Sequence, residues 1–387
     1  MSCSIEKLSK LGLVLLISLS LPPRVPASEN GHPVTVAVFG LFRPERVDIT
    51  TPHSAIVSIQ TGSVEVKRVL GRGQRLQVES RGEGLEVKVF EHDERLSLAR
   101  KADALRTEET VCTLSVPGRI QRDYSGRLEV VVQRGRVLPL VTVQEEAAVQ
   151  QILRSELAEG QQPEALKAQA VLVRSYLRAA TGRHRKDGFD FCDTTHCQFF
   201  TDFKMADRFR QAAIATRGLV LTFLGKFFQP LYTAACGGRT LSGFAAGSQK
   251  EEGSAYPYRS VSCGFCVGHP LFEWETTTTT QELLRALKEE SLKDPAEVIA
   301  SLAEPGEAGE LGALKQATRI CVGRALGWNL IRSNRYSIEL HSDSVKIRGH
   351  GSGHNFGLCQ AGAIEMGRQG KSMSEILSYY FPGCRIE

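Results

Sequence analysis

The sequence predicts an α+β protein, and three observations carry that prediction. From His32 to about Val141 short apolar runs alternate with turn residues, as antiparallel strands do. Residues 145–180 place apolar side chains at helical spacing instead. Beyond them, strand-like and helix-like segments mix without regular strand–helix–strand alternation, which argues against a doubly wound sheet. A chain of 387 residues has room for two or three domains and for real cores. No internal repeat, heptad or low-complexity tract appears.

In chain order, Lys7 and Lys10 precede an apolar run at residues 11–21, then Pro22-Pro23 and the small-residue site Val25-Pro26-Ala27. That is the layout of a secretory signal peptide over residues 1–27, with an uncleaved anchor as the weaker reading. The run is short for a membrane span, and no later segment is apolar enough for one. The expectation is a soluble, secreted or extracytoplasmic protein of the periplasm or cell envelope.

Residues 32–141 form a β-rich unit. VTVAVF, AIVSIQ, RLQVES, LEVKVF and LEVVVQ read as strands, parted by turns such as Gly71-Arg72-Gly73 and Arg81-Gly82-Glu83-Gly84. Residues 143–387 form the second unit. It opens with two helices broken at 158–162, with Pro163 tolerated at the first position of the second and Glu164 near its positive dipole end. Leu166, Ala170, Val173 and Leu177 make one apolar stripe, and Lys167, Arg174 and Arg178 a basic line beside it. By itself this is an amphipathic hairpin with a solvated charged face. A helix is expected at 206–217, another over 282–302, a loop at 304–312, strands at YSIEL and SVKIRG, and a last helix at 374–380.

A net charge of +5 suits attraction to an anionic polymer, but no basic run or RNA-binding motif supports nucleic acid as a partner. After loss of Cys3, nine cysteines remain, an odd number. In an oxidising compartment some would form disulfides.

The string SELAEGQQPEALKAQAVLVRSY closely resembles the signature of the stage II sporulation protein D family, which also contains the amidase enhancers. The resemblance continues in DTTHCQ (193–198), ACGGRT (235–240), LIRSNRY (330–336), GHNFGLCQAGA (353–363) and ILSYYFPG (376–383). Six matches in order make it specific. Asn355 departs from it, standing where the family usually has glycine, and Ala361 stands where an aromatic is common.

The resemblance implies a peptidoglycan lytic transglycosylase, cutting the MurNAc–GlcNAc bond of peptide-trimmed glycan strands and leaving a 1,6-anhydro end. Glu156 matches the catalytic acid. One carboxylate suffices in that chemistry because the sugar's own 6-hydroxyl replaces the water that a hydrolase must activate. Glu156 would start protonated, which requires a raised pKa. Lys167, Gln169, Arg174 and Tyr176 match the polar signature and would line a sugar groove or, Tyr176 above all, fix the two helices together; His354 and Gln360 of the glycine-rich stretch would join the groove. The rival reading is a non-catalytic wall-binding or amidase-enhancing module, with a cell-wall amidase as partner.

Catalysis of this kind requires no cofactor. Cys192, His196 and Cys197 are soft ligands in a compact C-x-x-x-H-C, with His184 as a fourth, and some relatives hold zinc near this segment. A Cys192–Cys197 disulfide or free buried thiols fit the same segment, and the sequence leaves all three open. Cys263 and Cys266 form a lone C-x-x-C, a weak signal for a disulfide, metal or redox work. Cys236 or Cys359 with His354 would make a thiolate–imidazole pair. Relatives carry a cysteine in ACGGRT without nucleophilic use, so that reading is remote.

Overall fold

The computed structural model describes residues 31–387 apart from 93, 158–160, 202–206, 243–258, 290–293 and 304–309. The expected signal segment lies outside the described residues. Eleven strands precede the helices: β1 (Val34–Ala37), β2 (Arg46–Thr50), β3 (Ala55–Thr61), β4 (Val64–Leu70), β5 (Gln74–Arg81), β6 (Gly84–Glu91), β7 (Glu94–Ala102), β8 (Ala104–Thr107), β9 (Thr110–Val116), β10 (Ile120–Gln133) and β11 (Arg136–Val143). With β12 (Phe191–Cys192) they form one sheet, ordered β12-β1-β11-β10-β9-β2-β5-β6-β7, from which β8, β3 and β4 branch at β10. Period-two alternation explains the sheet: Val47 and Ile49 of β2 point inward between half-buried neighbours.

The sheet curls at β10, whose first half pairs with β9 and whose second half pairs with β11 and β8. The change of partner falls at Gly126, with φ +143°. A Cβ there would lie 2.5 Å from the carbonyl oxygen of Thr142, so only glycine lets β11 approach so closely.

Three helices pack on this sheet: α1 (Glu145–Glu156), α2 (Pro163–Ala180) and α3 (Asp207–Ala215). Leu166, Ala170, Val173 and Leu177, the stripe read from the sequence, are buried in one core with Val36, Val141, Val143, Ile152 and Phe209. That core runs without a break from the β-rich unit into the helices. Because β12 also adds to β1 in parallel, the two units share a sheet as well as a core.

A second core joins the other face of α2 to α7 (Gln360–Arg368) and α8 (Met373–Tyr380). The short parallel pair β15 (Tyr232–Thr233) and β19 (Leu358–Cys359) lies here, as do β13 (Leu221–Phe223), β14 (Lys226–Phe227) and β20 (Arg385–Ile386). A capping box of Ser372 and Glu375 starts α8.

The third core is a separate lobe. Strands β16 (Glu273–Thr279), β17 (Tyr336–Leu340) and β18 (Ser344–His350) cover α4 (Thr280–Glu289), α5 (Pro295–Ala303) and α6 (Glu310–Leu326) around Trp274, Leu287, Ile299 and Val322. Two expectations need correction here. The single helix over 282–302 is two helices, because Pro295 can open a helix but not continue one. The loop expected over 304–312 is helical from Glu310, while 304–309 lie outside the described residues. Among the described residues no helix is long and apolar enough to cross a membrane.

Candidate active site

Glu156 is the last residue of α1, since Leu157 turns extended at φ −126°. Its Oε1 accepts the amide hydrogen of Phe199 at 2.6 Å. One residue earlier, the Ser155 hydroxyl donates to the carbonyl of Gln151 and accepts the amide of Thr201 at 2.9 Å. The end of α1 is thereby laced to the strand-like segment that follows DTTHC. Tyr232 of β15 brings its phenol to the same carboxylate from 76 residues later in the chain. Burial raises the Glu156 pKa, and the Phe199 amide and the Tyr232 phenol oppose that rise without cancelling it.

Near the carboxylate stand buried polar groups without a partner among the described residues. Gln169 of α2 lies beside the Tyr232 phenol and is 1% exposed, yet among the described residues neither end of its amide has a hydrogen-bond partner of good geometry. The buried Tyr232 hydroxyl faces Glu156 and Gln169 but meets neither at good hydrogen-bond geometry, and both ends of the Gln198 amide, next to Phe199, likewise lack a partner among the described residues. An unmet buried polar group costs about 1–3 kcal/mol. A cluster of them beside one carboxylate is suited to a ligand rich in hydroxyl and amide groups.

The glycine-rich stretch reaches the same region through β19, where Leu358 pairs with Tyr232. The His354 ring donates to the main-chain carbonyl of Tyr232, while burial, then the nearby Arg319 charge, depress its pKa to about 4. Its Nδ1 accepts the Phe356 amide at 3.0 Å, so the neutral ring carries its hydrogen on Nε2. Gln360 opens α7 with its amide nitrogen buried and unpaired. Asn355, the departure from glycine, has φ +63° and is fully buried. Asparagine tolerates that conformation better than other side chains. It repays the exchange by accepting the Asn334 amide and donating to the Cys236 and His350 carbonyls.

The four ligands suggested by sequence come together. The His184, Cys192, His196 and Cys197 donor atoms all lie within 4.8 Å of one another. His184 Nε2 is 3.4 Å from the Cys197 sulfur, and His196 Nδ1 is 3.7 Å from each sulfur. Zinc at ordinary bond lengths would set sulfur and nitrogen about 3.6 Å apart around a tetrahedron. The free nitrogen of His184 faces Asp187 at 3.4 Å, the carboxylate that commonly orients a metal-bound imidazole. The donors therefore fit a tetrahedral zinc ion.

Residues 133–223 match the family model described as Stage II sporulation protein, a segment running from the end of β10 through both helices to β13. The chain is 24% identical over 260 residues to the stage II sporulation protein D of Bacillus subtilis, covering 61% of this chain and 72% of that one. The 133–223 segment is thus similar to the stage II sporulation protein D family. An uncharacterized protein of Brachyspira hyodysenteriae is 28% identical over 270 residues, 68% of this chain and 72% of the relative. The amidase enhancer of Bacillus subtilis is 23% identical over 277 residues, covering 58% of this chain and 38% of its own length.

Within the 133–223 segment, two residues expected in the groove are elsewhere. Arg174 is fully buried, bidentate to Glu146 of α1 at 2.7 and 2.8 Å and bonded to the carbonyl of Leu219. Arg178 pairs likewise with the buried Glu145. The two arginines of the basic line are thus an internal bracket between α1 and α2, not a solvated face. Tyr176 is also buried, against Phe191 and between Cys197 and Tyr232, where it supports both clusters instead of lining a groove. The half-exposed Lys167 spends its charge on Glu164, which also accepts the Met373 amide at the start of α8.

Tyr232 and Gln198 were not singled out by sequence, although Gln198 closes a matching motif. A cavity of about 970 Å³ lies apart from Glu156, lined by Phe39, Arg43, Arg46, Arg119, Arg136 and Cys192 among others.

Proposed function

We propose that the Glu156 site cleaves peptidoglycan glycan strands as a lytic transglycosylase, and that the protein acts outside the cytoplasm. The coarser part, a role at the cell wall, is supported by the likeness to a stage II sporulation protein D and to an amidase enhancer. The finer part rests on one observation: a buried carboxylate of raised pKa among unpaired amides and a phenol. Protonated Glu156 would donate to the glycosidic oxygen as the bond to C1 breaks. The resulting carboxylate would then take the proton of the 6-hydroxyl as that oxygen bonds to C1. Gln169, Gln198 and Tyr232 would hold the sugar hydroxyl and acetamido groups, with His354 and Gln360 approaching from the β19 side.

Digestion of peptide-free glycan, followed by mass analysis, should yield anhydro-MurNAc ends. A purified protein that binds glycan and speeds an amidase, yet makes no such ends, is the rival module.

Tyr232→Phe removes the phenol that opposes the rise of the Glu156 pKa. The alkaline limb of the kcat/KM profile should therefore move to higher pH, with about tenfold loss of rate, near 1.4 kcal/mol. An unmoved limb would separate Tyr232 from the titrating group. For the His184–Cys197 cluster, zinc would be structural, tying His184 and the 193–197 turn to β12. Cys197→Ser should lose one equivalent of zinc by elemental analysis. A mapped Cys192–Cys197 bridge in metal-free protein would end that assignment.

A further inference from the structure

We propose that Cys236, Cys263, Cys266 and Cys359 form a second, all-sulfur metal site that takes one Zn²⁺, independent of the Glu156 chemistry. The four are buried, and their sulfurs all lie within 4.8 Å of one another. Cys236 and Cys266 sulfurs are 3.6 Å apart. A tetrahedral ion with four bonds of about 2.3 Å would set its sulfurs about 3.8 Å apart, so this spacing matches one ion at the centre. Iron–sulfur clusters place several irons and sulfides between their thiolates and need a wider cage. Of the ions that prefer a tetrahedral four-thiolate set, zinc is the one that requires no redox partner.

The surroundings suit thiolates as well as the sulfurs suit the ion. Cys359 accepts the amide hydrogens of Cys236 at 3.2 Å and Gly362 at 3.4 Å, and it caps the positive end of α7. The Tyr380 hydroxyl lies 3.2 Å from the Cys263 sulfur. Arg335 donates to the carbonyls of Cys236, Gly237 and Arg239, which sets a positive charge beside the cluster. Four thiolates around Zn²⁺ carry a net charge of two minus, and these donors and this cation offset it. Space is equally exact in its demand. A Cβ on Gly362 would stand 2.8 Å from the Cys263 sulfur and 3.4 Å from that of Cys359.

The four cysteines come from three places in the chain, the ACGGRT loop, the short helical turn Gly264–Cys266 with the residue before it, and β19. Binding would release the four thiol protons and fix these three segments to one point. His354 and Gln360 flank Cys359, so the same ion would hold the glycine-rich stretch in register with Tyr232.

The test uses the full chain carrying Cys197→Ser, which removes the first cluster from the count. This protein should retain one equivalent of zinc, with an X-ray absorption shell of four sulfurs at about 2.3 Å. Adding Cys266→Ser should bring zinc to near zero. Should that variant not fold, cobalt exchanged into the Cys197→Ser protein should give the charge-transfer absorption of a tetrathiolate site. Zinc-free Cys197→Ser protein with disulfides mapped among the four cysteines, or iron in place of zinc, overturns the assignment.

Discussion

Glu156→Gln should lower glycan cleavage by roughly 10²–10⁴-fold, the usual contribution of a positioned proton-transfer group. The amide keeps the shape of the carboxylate and can still accept the Phe199 hydrogen, so glycan binding should survive. Its effect on stability has the opposite sign. Burial raises the Glu156 pKa above the ordinary 4.5, so the folded state binds this proton more tightly than the unfolded chain does. Stability from that group is full below 4.5 and is lost as pH rises through the raised value. Wild type should therefore be penalised at neutral pH in a way the glutamine variant is not. Denaturant midpoints at pH 4 and pH 7.5 measure this: the variant should gain on wild type between them. Full activity in Glu156→Gln would remove the residue from the chemistry and leave the family likeness standing.

The helical hairpin was legible because its signal is local. Pro163 and the four-, three- and four-residue spacing of Leu166, Ala170, Val173 and Leu177 lie within one stretch and fix both the break and the buried face. The strands of the β-rich unit were legible for the same reason, except where a strand has no buried alternation. β4 is exposed at six of seven positions and carries no such signal. Helix α6 was missed because Gly312 and Gly323 interrupt it, and Gly323 is there to admit the Trp328 ring, a contact formed only in the folded lobe. The candidate site was legible as far as single motifs reach, at Glu156, Gln169 and the Cys192–Cys197 cluster. Tyr232 and the four-cysteine cluster depend on β15 lying parallel to β19, a pairing across more than a hundred residues that spacing does not reveal. Arg174 shows the opposite error. Helical periodicity gave the correct face, but whether a basic face meets solvent or two glutamates depends on the neighbouring helix.

Arg174→Ala should act on folding and not on sugar binding. The arginine has no exposed side-chain surface, and it meets Glu146 with two hydrogen bonds while its remaining donors reach the carbonyls of Leu219 and Ala213. Truncation leaves a largely buried carboxylate whose remaining partner among the described residues is the Gly218 amide at 3.3 Å. Breaking a buried pair by removing one partner costs about 3–5 kcal/mol, far more than an exposed pair is worth. Pairing Arg174→Met with Glu146→Leu should recover much of that loss, because no charge is then left buried without its partner. Urea unfolding of the three proteins reads both effects, and glycan affinity of the folded fraction should match wild type in each. An Arg174→Ala protein that unfolds like wild type but binds glycan weakly would return this residue to the groove.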